Sequence, residues 1–146
     1  MHWLKSVLVA VALAGSTVSP AEPTKPLDAG TLDAAEKLWA RASLQNYKFT
    51  FRYDEFVSPR GCFQKFDVRV SDGVPEYRGD CRKYRTEFSS VPLLFKYLRR
   101  ALKRDHYLVE AQFDPTFGYP VSASLGSSEM ADDYFNFEVV NFKTTP

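Results

Sequence analysis

The two cysteines of this sequence, Cys62 and Cys81, carry its most reactive side chains. They flank Asp72-Gly73, which stands between two alternating runs and predicts a two-residue hairpin turn. With that turn, Gln64 lies opposite Cys81, and Cys62 is one diagonal step away, a gap that a bulge near Gly79 would close. In an oxidising compartment such a pair forms a disulfide by default, so we predict a Cys62–Cys81 bridge. The alternative is a redox or metal site, for which a C-x-x-C spacing and a neighbouring histidine are missing.

A group of cations recurs at the spacing of one helical face. This basic stripe consists of Lys96, Arg99, Arg100, Lys103 and Arg104, and it lies opposite an apolar stripe of the same segment. One interpretation is a solvated helix face that balances the acidic C-terminal third of the chain. The other is a binding site for an anionic envelope component, such as lipid headgroups or cell-wall polymers, or for another protein.

Histidine and carboxylates give weaker chemical signals. His106 is the one histidine beyond the first 21 residues, and at the junction of a helix and a strand it is typical of a helix C-terminal cation. Asp114, Asp132 and Asp133 carry the oxygen ligands of Ca²⁺ but lack the regular spacing of known calcium loops. The sequence contains no G-x-S-x-G, H-E-x-x-H or phosphate-binding loop. We therefore predict no catalytic residue, no metal site and no cofactor.

The stretch FDPTFGYPVSASLG, residues 113–126, joins two alternating segments with residues that favour turns. Asp114 is suited to cap a turn through its side chain, Pro115 sets the next φ, and Gly118 supplies a positive φ. Pro120 cannot donate to a sheet ladder, so it marks an edge or a bulge. Together with Tyr119, these residues predict a hairpin with a bulged turn.

The elements that position these residues follow from the periodicity of apolar residues. One helix is predicted from Thr31, a suitable N-cap, to about Gln45, and a second from about Ser90 to Arg104 with Pro92 in its first turn. Elsewhere the period is two, as in strands with one buried face. The predicted strands are NYKFTFRYDEF, the run that ends at the Asp-Gly turn, residues 74–85, and three segments near 107–113, 121–125 and 135–139.

This order of elements predicts the fold class. A helix, three strands, a second helix and three more strands, joined by short links, indicate antiparallel hairpins with one buried face. Two helices packed on that face complete the layer arrangement. We predict an α+β fold in which two helices cover one face of an antiparallel sheet.

The first residues, MHWLKSVLVAVALAGSTVSPAEP, resemble an export signal. Ser19 and Ala21 stand at the positions of an A-x-A-like cleavage site, and the apolar run is shorter than the roughly 20 residues that cross a bilayer. We predict a secretory signal peptide over residues 1–21, a tether over 22–30 and a single domain over 31–146, located in the periplasm or secreted. The alternative for the first segment is a buried N-terminal helix.

Composition excludes a general attraction to nucleic acid. The chain has 19 basic and 18 acidic residues, and Lys5 is the one charged residue within the predicted signal peptide. The remaining chain is neutral, so no nucleic-acid partner is expected. An apolar content of 45% and an aromatic content of 15% indicate a packed globular domain.

The segment FDPTFGYPVSASL, followed by MADDYFNFEVVNF, resembles a family of small bacterial exported proteins and lipoproteins of unknown function. Its members share a Y/F-D-P-x-x-G-Y-P-x-x-I signature, an Asp-Asp pair and a final strand, and LWARASLQNYKFTFRY and Cys62-Phe63 also fit the family pattern. Members often have Cys-Phe-Cys where this chain has Cys62, Phe63 and Gln64, so the family cysteine pairing is open for this chain. Members also often have an Asp where this chain has Gly126, which argues against a metal site there. The resemblance implies no reaction.

These observations predict an exported, non-enzymatic domain that acts by binding or as an envelope accessory. The alternative is a hydrolase-like enzyme, which a pocket combining His106 with two carboxylates would favour.

Overall fold

The computed structural model describes residues 25–55, 64–78 and 86–146. The helices are α1 (Ala29–Ala42) and α2 (Val91–Ala101), with a short helical stretch at residues 86–88 before α2. The strands are β1 (Tyr47–Glu55), β2 (Lys65–Ser71), β3 (Val74–Arg78), β4 (Tyr107–Phe113), β5 (Pro120–Ser127) and β6 (Tyr134–Thr144).

The six strands form one antiparallel sheet in the order β3-β2-β1-β6-β5-β4. Each set of three consecutive strands is a meander, and the two meanders join where β1 pairs with β6. The predicted α+β class is confirmed. The β1–β6 pairing brings the two halves of the sequence into one sheet.

The core lies between the helices and one face of this sheet. Trp39 of α1 makes an edge contact with Tyr47 of β1, with ring centres 5.2 Å apart. Phe95 of α2 stacks on Phe113 of β4 at 6.2 Å. Phe51, in the central strand β1, has no solvent exposure. Each fully buried side chain of this size stabilises the fold by about 1.5–3 kcal/mol, so the aromatic residues on this face fix which side of the sheet the helices cover.

Helix α1 begins before the residue that the sequence predicts. Asp28, rather than Thr31, is the N-cap, because its Oδ1 accepts a hydrogen bond from the Thr31 amide at 2.7 Å. The amide of Leu27, which is buried, donates to the carbonyl of Val109 in β4 at 2.7 Å. The end of the predicted tether is therefore bound to the sheet.

The helices also end earlier than predicted. Ser43 adopts a left-handed conformation with φ of 50°, which stops α1 at Ala42. Helix α2 begins after Ser90, whose side chain accepts a hydrogen bond from the Leu93 amide, and the residues from 102 to 106 form turns.

The hairpin at Asp72-Gly73 has the predicted register. Ser71 pairs with Val74, and Asp67 pairs with Arg78. Both turn residues have positive φ, as a two-residue hairpin of this type requires. Cys62 and Cys81 lie outside the described residues, as do the predicted signal peptide and residues 79–85 of the predicted third strand, so the disulfide stays a prediction.

Candidate functional site

The Asp-Pro to Tyr-Pro segment, residues 114–120, is held together by its own hydrogen bonds. The Asp114 Oδ1 atom accepts from the amides of Thr116 and Phe117 at 3.0 and 2.6 Å. The Asp114 amide donates to the carbonyl of Tyr119 at 2.9 Å. The carboxylate of Asp114 therefore has the turn-capping role that the sequence predicts.

Gly118 places this turn directly against helix α1. Its φ is +79°, which confirms the predicted positive φ. A Cβ atom at this position would lie 2.3 Å from the backbone oxygen of Ala35 and 2.9 Å from the Cβ of Leu38. The sequence predicts the φ but not this close approach, because α1 is some eighty residues away along the chain.

Tyr119 and Pro120 pack inward as well, whereas Pro115 and Thr116 at the tip of the turn are exposed. The ring of Tyr119 stacks on Phe142 of β6 with ring centres 4.2 Å apart. Pro120 is fully buried and pairs with Phe113 at an irregularity of the β4–β5 register, which confirms the predicted bulge. Burial raises the pKa of the Tyr119 hydroxyl, and the charge of Asp114 adds to the shift. The segment therefore contacts the chain's own helix and sheet.

The cations of the basic stripe are mostly engaged by carboxylates. Arg99 contacts Asp33 of α1 at 2.9 Å and forms a second, short ion pair with Glu36. These two carboxylates raise the pKa of the Arg99 guanidinium. Arg99 therefore links the two helices.

Arg100 and Arg104 are also paired. Arg100 contacts Glu87 at 3.1 Å, and Arg104 lies 3.8 Å from Asp133. The Arg104 guanidinium also lies 3.8 Å from the ring centre of Tyr107, a cation–π geometry. Within the described part of the chain, Lys96 and Lys103 are exposed and form no ion pair. Of these partners, Asp133 belongs to the acidic C-terminal third, whereas Asp33, Glu36 and Glu87 precede α2 in the chain.

The opposite face of the sheet presents a different surface. Neither α1 nor α2 covers it, and we name it the open face. Its side chains alternate with the buried ones along the strands, except at the bulge of β6 near Asn141. Its main members are Lys48, Thr50, Arg52 and Asp54 of β1, Lys65, Asp67 and Arg69 of β2, Arg78 of β3, Glu110 and Gln112 of β4, Ser122 and Ser124 of β5, and Asn136, Glu138, Asn141 and Lys143 of β6.

Two depressions lie on the open face, and they differ in charge. The larger, of about 440 Å³, combines cations with hydrogen-bonding groups and is lined by Thr50, Arg52, Lys65, Asp67, Arg78 and Asn141. The smaller, of about 260 Å³, contains carboxylates, amides and hydroxyls and is lined by Glu110, Gln112, Ser122, Ser124, Asn136 and Glu138. The open face thus has a basic half, which covers β1–β3 and the end of β6 from Asn141 to Lys143, and an acidic to neutral half over β4, β5 and the rest of β6.

Like charges stand directly opposite one another in the basic half. Lys48 pairs with Arg69 of β2 on one side and with Lys143 of β6 on the other. Arg52 pairs with Lys65. Like charges in such positions are destabilising, whereas opposite charges there would stabilise the sheet. The alternation of the sequence reveals which residues share a face, but only the strand register reveals these pairs.

His106, Asp132 and Asp133 lie elsewhere. His106 immediately precedes β4, and the two aspartates immediately precede β6. The Nδ1 atom of His106 is 3.3 Å from Glu129 Oε1, and the two side chains are 68% and 65% exposed. Asp133 contacts Arg104, and Asp114 is engaged in its own turn. Across residues 25–55, 64–78 and 86–146, no three histidine, cysteine, aspartate or glutamate side chains are grouped so as to hold a metal.

In a comparison with protein families, the model of a family of unknown function matches residues 31–144. The chain belongs to DUF6174, a family of unknown function. The match includes all six strands and nearly all of α1, so the described domain is the DUF6174 unit. The search of curated proteins finds no match. In the described residues, neither helix of this DUF6174 domain has the length and apolar content to span a membrane.

Proposed function

We propose that this DUF6174 protein is an exported, non-enzymatic binding domain of the bacterial envelope, and that the open face of its sheet is the binding surface. The observation that carries the proposal is the register of the open face beside a polar depression. Lys48 stands between two cations, Arg69 and Lys143, and Arg52 stands opposite Lys65. On their other sides, Arg52 and Arg69 face Glu138 and Glu76. A sheet that served only as a scaffold would be more stable with opposite charges at the pairs of like charge.

The contacts of the other candidates support this choice of surface. The Asp-Pro to Tyr-Pro segment packs against α1 and β6, and three cations of the basic stripe are paired with carboxylates. A hydrolase-like activity would call for His106 between two carboxylates. His106 contacts one carboxylate, that of Glu129, and both side chains are largely exposed. They therefore lack the low-dielectric surroundings that strengthen acid–base catalysis.

Export is proposed on the pattern of residues 1–21, and a Cys62–Cys81 disulfide would suit the oxidising compartment that it implies. A fusion of residues 1–30 to a periplasmic reporter tests this part of the proposal. Reporter activity outside the cytoplasm is expected, and retention of an uncleaved fusion in the cytoplasm would contradict it.

Steric blocking tests the binding surface. Thr50→Trp and Ser124→Trp each place a large ring on the open face, where strands accept aromatic residues. Ala34→Trp makes the same kind of change at an exposed position of α1 and is the matched control. Co-sedimentation with isolated envelope fractions is the assay. We expect loss of retention in at least one open-face variant and wild-type retention in the control; equal retention of all three would contradict the proposal.

A further inference from the structure

The cations of the open face are arranged in two rows across the strands. One row contains Lys143, Lys48 and Arg69, which are neighbours on β6, β1 and β2. The second row contains Arg52 and Lys65, which pair with each other. Arg52 is four residues after Lys48 on β1. At about 3.4 Å per residue, the two rows are about 14 Å apart along β1. A single small anion cannot contact both rows.

The space between the rows is polar and does not block a chain of anions. Thr50 donates its hydroxyl to Asp67 Oδ1 at 2.7 Å, and Arg78 stands opposite Asp67 on β3. Asn141, at the bulge of β6, lines the same depression. The Asp67 carboxylate thus accepts the one proton of the Thr50 hydroxyl, and the Asn141 side-chain amide lines the path between the rows.

The balance of charge in this region is positive. Among the described residues its cations are Lys48, Arg52, Lys65, Arg69, Arg78 and Lys143, and its carboxylates are Asp54, Asp67, Glu76 and Glu138. Arg52 lies 3.7 Å from Glu138, but the two side chains are 59% and 58% exposed, so this contact contributes little. On the described part of this face, cations therefore outnumber carboxylates by two.

We propose that the basic half of the open face binds a linear polymer of phosphate groups that extends from one row of cations to the other. The opposing cations within a row flank an anion from two sides, and a tetrahedral phosphate directs oxygens toward both. The planar carboxylate directs its oxygens within one plane. The guanidinium groups of Arg52, Arg69 and Arg78 also match phosphate oxygens in two-bond geometry. This inference rests on the proposed function and names the ligand chemistry of the same surface.

Inorganic polyphosphate is a suitable probe, and calorimetric titration of the exported chain is the measurement. Long-chain polyphosphate is expected to bind about tenfold or more tightly than tripolyphosphate, because only the long chain reaches both rows. Binding should weaken between about 0.05 M and about 0.15 M salt, since exposed charges are screened. Equal affinity for both lengths would overturn the proposal, as would equal affinity for polyglutamate of matched length.

Charge-matched variants test whether polyphosphate binding depends on the two rows of cations or only on the net charge of the protein. Two double variants each remove two cations from one row: Lys48→Gln with Arg69→Gln, and Arg52→Gln with Lys65→Gln. Each is expected to weaken the binding of long-chain polyphosphate about tenfold or more. The control replaces Lys96 of α2 and Lys103, which follows α2, by Gln. It makes the same change in net charge, and its binding is expected to stay within about twofold of wild type. An equal loss in the control would overturn the proposal.

Thermal melts confirm that each variant is folded before its affinity is compared. The result with polyphosphate is independent of the envelope assay with tryptophan variants. If Thr50→Trp abolishes envelope retention while long-chain polyphosphate does not bind, the open face remains the binding surface and the phosphate assignment is wrong. If polyphosphate binds through the two rows but the tryptophan variants retain envelope binding, the proposed function fails and the phosphate site stands.

Discussion

Replacement of Gly118 by alanine is the sharpest test of the turn that docks on α1. The change adds one methyl group at a residue with φ of +79°. The left-handed conformation costs a residue with a Cβ about 1–2 kcal/mol. The new atom would also lie 2.3 Å from the Ala35 backbone oxygen, so the turn and the helix must separate. Overpacking of this kind costs about 1–3 kcal/mol, which gives a total loss of about 2–5 kcal/mol.

Gly73 provides a matched control for this substitution. Its φ of +77° is nearly the same, but the nearest atom to an added Cβ is the end of the Gln45 side chain at 2.8 Å, which can move. Gly73→Ala should therefore cost only the conformational part, about 1–2 kcal/mol. Urea denaturation followed by tryptophan fluorescence measures both variants. Equal losses of unfolding free energy would refute the argument that close approach to α1 requires glycine at position 118.

Four further predictions concern charge, the disulfide and pH. Lys48→Gln should raise the unfolding free energy by about 0.2–1 kcal/mol, because it removes a cation that stands opposite two others; a loss in urea denaturation would contradict this. Arg99→Gln should lower the unfolding free energy by about 0.5–2 kcal/mol, since Arg99 contacts two carboxylates of α1, and high salt should reduce the difference. Reduction of the predicted Cys62–Cys81 disulfide should lower it by about 3 kcal/mol, and non-reducing peptide mass spectrometry should find the bridge; two free thiols in exported protein would disprove it. Burial raises the pKa of Tyr97 above its usual value of 10.0, so the unfolded chain loses this proton at a lower pH than the folded chain does. The unfolding free energy should therefore fall as the pH rises above about 10, and the fall should be shallower in Tyr97→Phe.

The sequence predicts those features that depend on local pattern. The alternation in Tyr47–Glu55 and the Asp72-Gly73 turn determine a strand and a register that the structure confirms. Gly118 and Pro120 predict a bulged turn for the same reason, because positive φ and a missing amide donor are properties of single residues.

Features that depend on distant contacts could not be predicted in the same way. The β1–β6 pairing joins segments about ninety residues apart, and it alone places Lys143 opposite Lys48. The bulge at Asn141, where φ is 56°, turns Phe142 toward the core and breaks the alternation of β6. The basic stripe combines both kinds of feature. Helical spacing in the sequence identifies its cations, but the carboxylates that pair with them come from other elements: α1, the short helical stretch before α2, and the turn before β6.

The central claim is that the open face, rather than the basic stripe of α2, is the binding surface. Amide NMR spectra of isotope-labelled protein during titration with long-chain polyphosphate test this most directly, since each shift reports on one residue. The account predicts the largest shifts on β1 and β2 around Lys48, Arg52, Lys65 and Arg69. Shifts concentrated around Lys96 of α2 and the adjacent Lys103, with β1 and β2 unchanged, would contradict it.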